Sequence, residues 1–465
     1  MKIFYDKRRK RNGENSNIAL LDFDCRCVAF GLPKNDSSPQ EETSSQKEEE
    51  QQKEEITLEP VEPFDPNSYT NAMMLEDYDF FWTTLEENCA ALGALQEVAG
   101  VDLEQIKTEG REQVTALADG DATGFSSVIS IIAQKMGGFA HIRPMEPDSY
   151  YRLVDGNMWE SDTQQVIFSE DKVRAFYQWQ SSLSPYKETL EGTRQANEVS
   201  GEEATSRAIT ENINLYRQGD TAVAMIKTFN FYGEEANDTV IEMLQDFCLK
   251  NLDAQDFIID ITRNSGGSTE IWEDGFAPLF AGKTLSKQDV AAYKEGAVNV
   301  QMWGGTLDGI PDLELKDLAK LTTEEYPKLN LKSLEGCDGV AVRTITLDYT
   351  DEKNPGGEEF EGRIWLLVDG QVASSAEELA QFAKNSDFCT LVGKQTAGMS
   401  GWITKPAVNY YTLPNSGLLI RFDAFYFLNE DGTCHDLEGT HPDIEIESGE
   451  TAMQRCLQEI KKLQK

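Results

Sequence analysis

Apolar positions along the chain keep a helical period up to about residue 136 and a strand–helix alternation from residue 221 onward. In LEDYDFFWTTLEENCAAL, Tyr78, Phe81, Trp82, Leu85 and Cys89 fall on one face, which predicts an amphipathic helix. VDLEQIKTEGREQVTAL and TGFSSVISIIAQKM repeat that pattern, and Gly137-Gly138 supplies a stop signal before FAHIRPM. From 221 the segments TAVAMIKTF and DFIIDIT predict buried strands, with DTVIEMLQDFCLKNL a helix between them. IWLLVD predicts another buried strand, 374–385 a helix, CTLVG a short strand, and GLLIRFDAFYFLNEDGT one strand running into a turn. A last helix is predicted over 449–464.

Strands alternating with helices predict an α/β core. The chain divides into residues 1–66, a basic start and disordered acidic tether; 67–145, a small helical N-terminal module; 146–220, a connecting region without clear pattern; and 221–465, the α/β core. Within the core, 283–360 reads as a long, polar, irregular insertion or lid. No internal repeat is visible.

Composition narrows the partners. The chain has 465 residues and a net charge of −40. Residues 41–62 hold nine Glu against two Lys, so most of the excess is spread over the body. Nucleic acid is not an expected partner, because phosphate binding needs clustered Lys and Arg. No run of apolar residues is long enough to span a membrane. MKIFYDKRRKRN is basic like the start of a signal peptide, but IALLDFDCRCVAFGL carries Asp22, Asp24 and Arg26. The acidic tether is of the kind that follows the anchored cysteine of bacterial surface proteins, so an exported location at the cell surface or outside the cell is expected. The eight cysteines contain no CxxC pair and read as free or buried thiols.

Two stretches carry candidate chemistry. Ser374-Ser375-Ala376-Glu377 opens a predicted helix, and S-x-x-E there is first a capping box. The same place also puts a serine beside unpaired backbone N–H groups and the positive end of a helix dipole. DITRNSGG ends a buried strand in Gly266-Gly267, where glycines let backbone N–H groups approach a ligand, or simply make a turn.

Together they resemble the C-terminal processing, or tail-specific, serine peptidase family. FIIDITRNSGG resembles that family's D-x-R-x-N-x-G-G signature, and LLVDGQVASSAEELAQFAK its nucleophile strand and helix. LVGKQTAG resembles its V-G-x-x-T-x-G segment and LEGTHPDIEI its closing G-x-x-P-D strand. The resemblance implies a crotonase-like layered α/β core, a peptide or protein substrate, Ser374 as nucleophile, and an oxyanion site made by backbone N–H groups of Gly266 or Gly267 and of Ser375. It implies no cofactor and no metal. No PDZ-like segment is legible between 145 and 220.

One position departs from the Ser–Lys branch. The lysine that takes the serine's proton there is Met399 in this chain, and a thioether accepts no proton. The tricorn-like branch uses Ser, His and Glu. By that resemblance the base is His141, in GGFAHIRPM, and the orienting carboxylate is Glu438, in LEGTHPD. His435 is a second candidate base. CHDLEGTHPD gathers Cys, His and Asp, but at spacings that fit no common zinc pattern. The alternative is a catalytically inactive, peptidase-like binding protein on the same fold, which loss of the family lysine would produce. A surface scaffold that makes no use of Ser374 is a third class. Oligomeric state is not legible.

Overall fold

The computed structural model describes residues 60–464 apart from 156–158, 160, 185, 188–201, 232–233, 351–358, 405 and 407. Residues 1–59 of the expected tether, with the features read as an export signal, lie outside this set. Its last residues are not a tether: Phe64 packs edge-on to Tyr69, Phe176 and Trp179, and its N–H donates to the Ala175 carbonyl at 3.0 Å.

The helical periodicity forms helices Asn71–Asn88, Leu92–Glu97, Leu103–Thr115 and Ala122–Lys135. The first buries Met74, Tyr78, Phe81, Trp82 and Leu85 on one face. The fourth starts at Asp121, whose carboxylate accepts the Gly124 N–H at 2.8 Å. It is followed by Gly137 and Gly138 in left-handed backbone, as the stop signal requires.

A six-stranded sheet forms the centre, in the order Ile444–Glu445, Thr390–Gly393, Arg363–Val368, Asp256–Asp260, Thr221–Ile226, Ile213–Gln218. All neighbours are parallel except the last pair. Asp256–Asp260 is buried along its whole length, which is why it reads as a continuous apolar run. Its side chains alternate between two layers. Phe257 and Ile259 join Leu366, Leu379 and Phe382 on the side of helix Ser375–Ser386; Ile258 joins Leu367, Cys456 and Ile460 on the side of helix Ala452–Leu463. The edge strand Ile213–Gln218 lay in the segment without clear pattern. It is mostly exposed, so little apolar alternation marks it.

The 283–360 stretch is not irregular. Strands Thr284–Tyr293 and Gly339–Asp348 pair antiparallel over their full length, from Thr284↔Asp348 to Tyr293↔Gly339. With Phe425–Leu428 and Glu314–Lys316 they make a four-stranded sheet. Their polar composition hid them, because Lys287 and Asp289 are buried as a pair. The single strand expected to run into a turn within GLLIRFDAFYFLNEDGT is two. Leu419–Asp423 belongs to a third sheet, between Arg143–Pro144 and Val408–Thr412, and after Ala424 the chain enters the second sheet. The architecture is mixed α/β with a helical N-terminal region and a multi-sheet core. Among the described residues no helix is long and apolar enough to cross a membrane.

Candidate active site

Three turns meet at the carboxyl ends of the parallel strands. Asp369, after strand Arg363–Val368, accepts the N–H groups of Arg263 and Gln371, each at 3.0 Å, so it ties its own turn to the RNSGG turn. Asn264 is fully buried and does more. Its side chain donates to the Ile226 carbonyl at 3.1 Å and accepts the Gly266 N–H at 2.9 Å, while its carbonyl accepts the Ala373 N–H at 3.3 Å. Sequence reading passed over Asn264. Its position inside the motif was the available signal.

Ser374 sits at the meeting point with φ 56° and ψ −128°, a conformation costly for any residue with a Cβ, on the order of 1–3 kcal/mol. The capping box does not form: Ser374 makes no side-chain cap, and Glu377 instead accepts the Thr440 N–H at 3.0 Å and its hydroxyl at 2.6 Å. Burial raises the Glu377 carboxyl to about 7, against the hydrogen bonds that lower it. Gly266 lies against the serine, since a Cβ there would be 2.7 Å from the Ser374 Cβ. Gly267 runs beside Phe229, where a Cβ would fall 2.0 Å from a backbone carbon. The Gly266 N–H is already spent on Asn264. Among the described residues the N–H groups of Gly267 and Ser375 have no acceptor.

The segment after strand Thr390–Gly393 passes along the serine. The Gly398 carbonyl accepts the Ser374 N–H at 3.3 Å, and Met399, with φ 62°, comes next. The place of the family lysine is therefore beside the serine, and a thioether stands in it.

His141 arrives from the helical region. Strand Arg143–Pro144 pairs antiparallel with Leu419–Asp423 in the register Arg143↔Arg421. Continued outward, that register sets residue 141 opposite 423, and His141 Nδ1 lies 2.7 Å from Asp423 Oδ2. Both side chains are mostly buried, and Ala140 and His141 have φ 50° and 46°. Asp436 faces the same group. Burial, with the Asp423 charge added, raises its carboxyl to about 7, while His141 pulls the other way. Glu438, the carboxylate expected to orient His141, is folded into the 434–438 turn, its N–H on the Cys434 carbonyl at 2.8 Å and its own carbonyl accepting from Asn429. Asp423 was missed because its partnership with His141 depends on strand register between segments 282 residues apart, and Asp436 because it reaches His141 from a distant turn.

A chain of close contacts joins serine to histidine. Gly398, bonded to Ser374, has its Cα against the His435 carbonyl, where an added Cβ would be 1.9 Å from the oxygen. Asp436 follows His435 and faces His141. His435 itself is buried, with Nδ1 2.7 Å from Asn429 Oδ1 and Nε2 3.2 Å from the Gln381 amide nitrogen. Burial lowers it to about 3, so its ring stays neutral with both nitrogens engaged. His441 is exposed. Among the described residues no cluster of His, Cys, Asp and Glu is placed to hold a metal ion.

Residues 221–446 match the model of peptidase family S41. The match spans the α/β core, a little under half of the chain, and S41 is the family this core resembles. It is a family of serine-type peptidases, so the protein is a serine-type hydrolase by descent, as the resemblance to C-terminal processing peptidases implied. The S41 segment contains Ser374, Gly266, Gly267, Met399, Asp423 and Asp436, whereas His141 lies before it. No curated protein matches the sequence. Among solved structures, a putative peptidase from Parabacteroides merdae is 13% identical, with a TM-score of 0.46 over 83% of this chain and 96% of that one. A lipoprotein from Streptococcus agalactiae is 12% identical, with a TM-score of 0.44 over 87% and 99%. The tricorn protease is 13% identical, with a TM-score of 0.38 over 85% of this chain and 37% of that one. These likenesses are distant, and the relation to S41 rests on the sequence match of the core.

Proposed function

We propose that the protein hydrolyses peptide bonds in peptide or protein substrates through an acyl-enzyme on Ser374. The Ser374 oxygen attacks the scissile carbonyl carbon while His141 Nε2 takes its proton. The imidazolium then protonates the leaving amine, and water releases the acyl group by the reverse proton path. Asp423, bonded to Nδ1, holds the ring and stabilises its charge, the part that sequence reading gave to Glu438. The N–H groups of Gly267 and Ser375 receive the oxyanion, with Gly266 supplying room rather than a donor. The observation that carries this reading is Ser374 itself: a strained serine, not serving as a cap, beside two unspent backbone N–H groups.

A fluorophosphonate probe tests it. Ser374→Ala should abolish labelling and hydrolysis with the fold retained, and Ser375→Ala should do much less, since only its N–H is used. His141→Ala should cost about 10³-fold or more in kcat, and Asp423→Asn up to about 10⁴-fold, the scale of losing a triad member. Full labelling of Ser374→Ala would overturn the reading. Met399 favours one competitor, an inactive binding protein on the same fold; a wild-type chain that takes no probe and turns over no peptide library would establish it. Export to the cell surface is part of the proposal, and cell fractionation decides it.

A further inference from the structure

Behind the nucleophile helix lies a buried ionic group that the chemistry above does not use. Lys287 and Asp289 stand two residues apart on strand Thr284–Tyr293, with side chains 1% and 2% exposed. Lys287 Nζ donates to both Asp289 oxygens, at 2.9 and 3.0 Å, and to Gln381 Oε1 at 3.0 Å; Glu378 Oε1 is 3.7 Å away. Gln381 and Glu378 belong to the helix that begins at Ser375. Asp289 Oδ2 accepts the Trp402 N–H at 2.6 Å. Arg343 stacks on the Trp402 ring at 3.9 Å and donates to the Ile403 carbonyl at 2.6 Å.

These contacts close a ring around the serine. From Ser374 it runs to the Gly398 carbonyl, along the loop to Trp402, through Asp289 and Lys287 to Gln381, across to His435, and back to the Gly398 Cα. Within the loop Gly398 and Met399 have positive φ, at 77° and 62°, and a non-glycine residue in that region costs backbone energy that its surroundings have to hold. Stability alone does not explain such a pair. A buried ion pair is costly to desolvate and is often replaced by apolar residues without loss.

We propose that Lys287 and Asp289 are positioning residues for the nucleophile: they clamp the 398–402 loop against the Ser374 helix and so fix the serine relative to its N–H donors. The clamp rests on the peptidase reading above. Without it, Trp402 loses its acceptor, the loop drifts, and the Gly398 carbonyl releases the Ser374 N–H. A small displacement is enough, since about 1 Å costs on the order of 10²-fold in rate.

The test uses the full chain and three variants: Asp289→Asn, Lys287→Met, and the charge-balanced Lys287→Met/Asp289→Leu. Four quantities are followed: melting temperature, hydrogen exchange of the 398–402 amides, fluorophosphonate labelling rate, and kcat with KM. The double variant should melt near the wild type, exchange its Trp402 amide faster, and lose roughly 10- to 100-fold in labelling and kcat at unchanged KM. Asp289→Asn, which keeps an acceptor for Trp402 but weakens the tie to Lys287, should show a smaller split of the same sign if the double variant fails to fold. Unchanged labelling, or unchanged exchange at Trp402, would overturn the clamp. A wild-type chain that takes no label would overturn the peptidase reading instead, and the exchange measurement would still decide whether Asp289 holds the loop.

Discussion

Glu377 shows how a residue's chemistry departs from its local pattern. In S-x-x-E it should face its own helix start, yet it is fully buried and turned toward Thr440. Its carboxyl titrates near 7 in the fold, against about 4.3 in an unfolded chain. Between those values the folded state holds a proton that the unfolded state has lost, so this group lowers stability as pH rises. At about 1.4 kcal/mol per unit, the span amounts to roughly 3–4 kcal/mol. Glu377→Gln removes the titration. Its melting temperature relative to wild type should therefore climb as pH goes from about 4.5 to 7, which calorimetry at several pH values would check. A flat difference would mean that Glu377 ionises normally. No local signal marked this burial, because the partner Thr440 is 63 residues away.

At the scale of elements, the turn DITRNSGG carried its meaning in the sequence, and the structure adds why both glycines are needed. Phe229 bridges to this turn, donating its N–H to the Gly266 carbonyl at 2.9 Å and accepting the Ser268 N–H at 2.7 Å. Gly267→Ala drives a Cβ into rigid backbone at Phe229, so it should lower the melting temperature by several degrees, on the scale of about 1–3 kcal/mol. Gly266→Ala meets the Ser374 side chain instead, so its loss should appear chiefly in kcat and labelling rate. Thermal melts beside turnover measurements separate the two; equal effects on both quantities would show that the turn acts as one unit. Strands were legible where both faces are apolar, as in Asp256–Asp260. They were not legible where charge is buried, as at Lys287 and Asp289, or where a single apolar run splits between two sheets at Ala424.

Over the whole molecule, the helical region and the sheets share one core. Phe81, Trp82, Phe125 and Met136 pack in the same cluster as Tyr410, Tyr411, Phe422 and Tyr426. Polar contacts cross the same boundary: Asn299 donates its side chain to the Asn88 carbonyl at 2.8 Å, and Lys294 donates to the Glu86 carbonyl at 2.8 Å. Each large apolar side chain exposed by cutting this core forfeits about 1.5–3 kcal/mol, so a few exhaust the 5–15 kcal/mol of a typical fold. A chain beginning at residue 146 should therefore show no cooperative melting and no probe labelling, although it keeps Ser374. Cooperative unfolding of that fragment, followed by calorimetry, would show that the S41 segment stands alone.

The sequence by itself determined the parts that local pattern encodes: the amphipathic helices before residue 137, the buried parallel strands, the glycine turn, and the serine at a helix start. Those depend on periodicity and on residues adjacent in the chain. Only the tertiary structure decided which carboxylate meets His141, because the Arg143↔Arg421 register brings Asp423 there and leaves Glu438 in a separate turn. It alone decided that Ser374 is strained rather than capping, and that a polar stretch builds a sheet with a lysine inside it. The physical reason is common to all three. The groups that bury a charge, pair one strand with another or hold a strained turn lie far apart in the chain, and local periodicity does not say which of them meet.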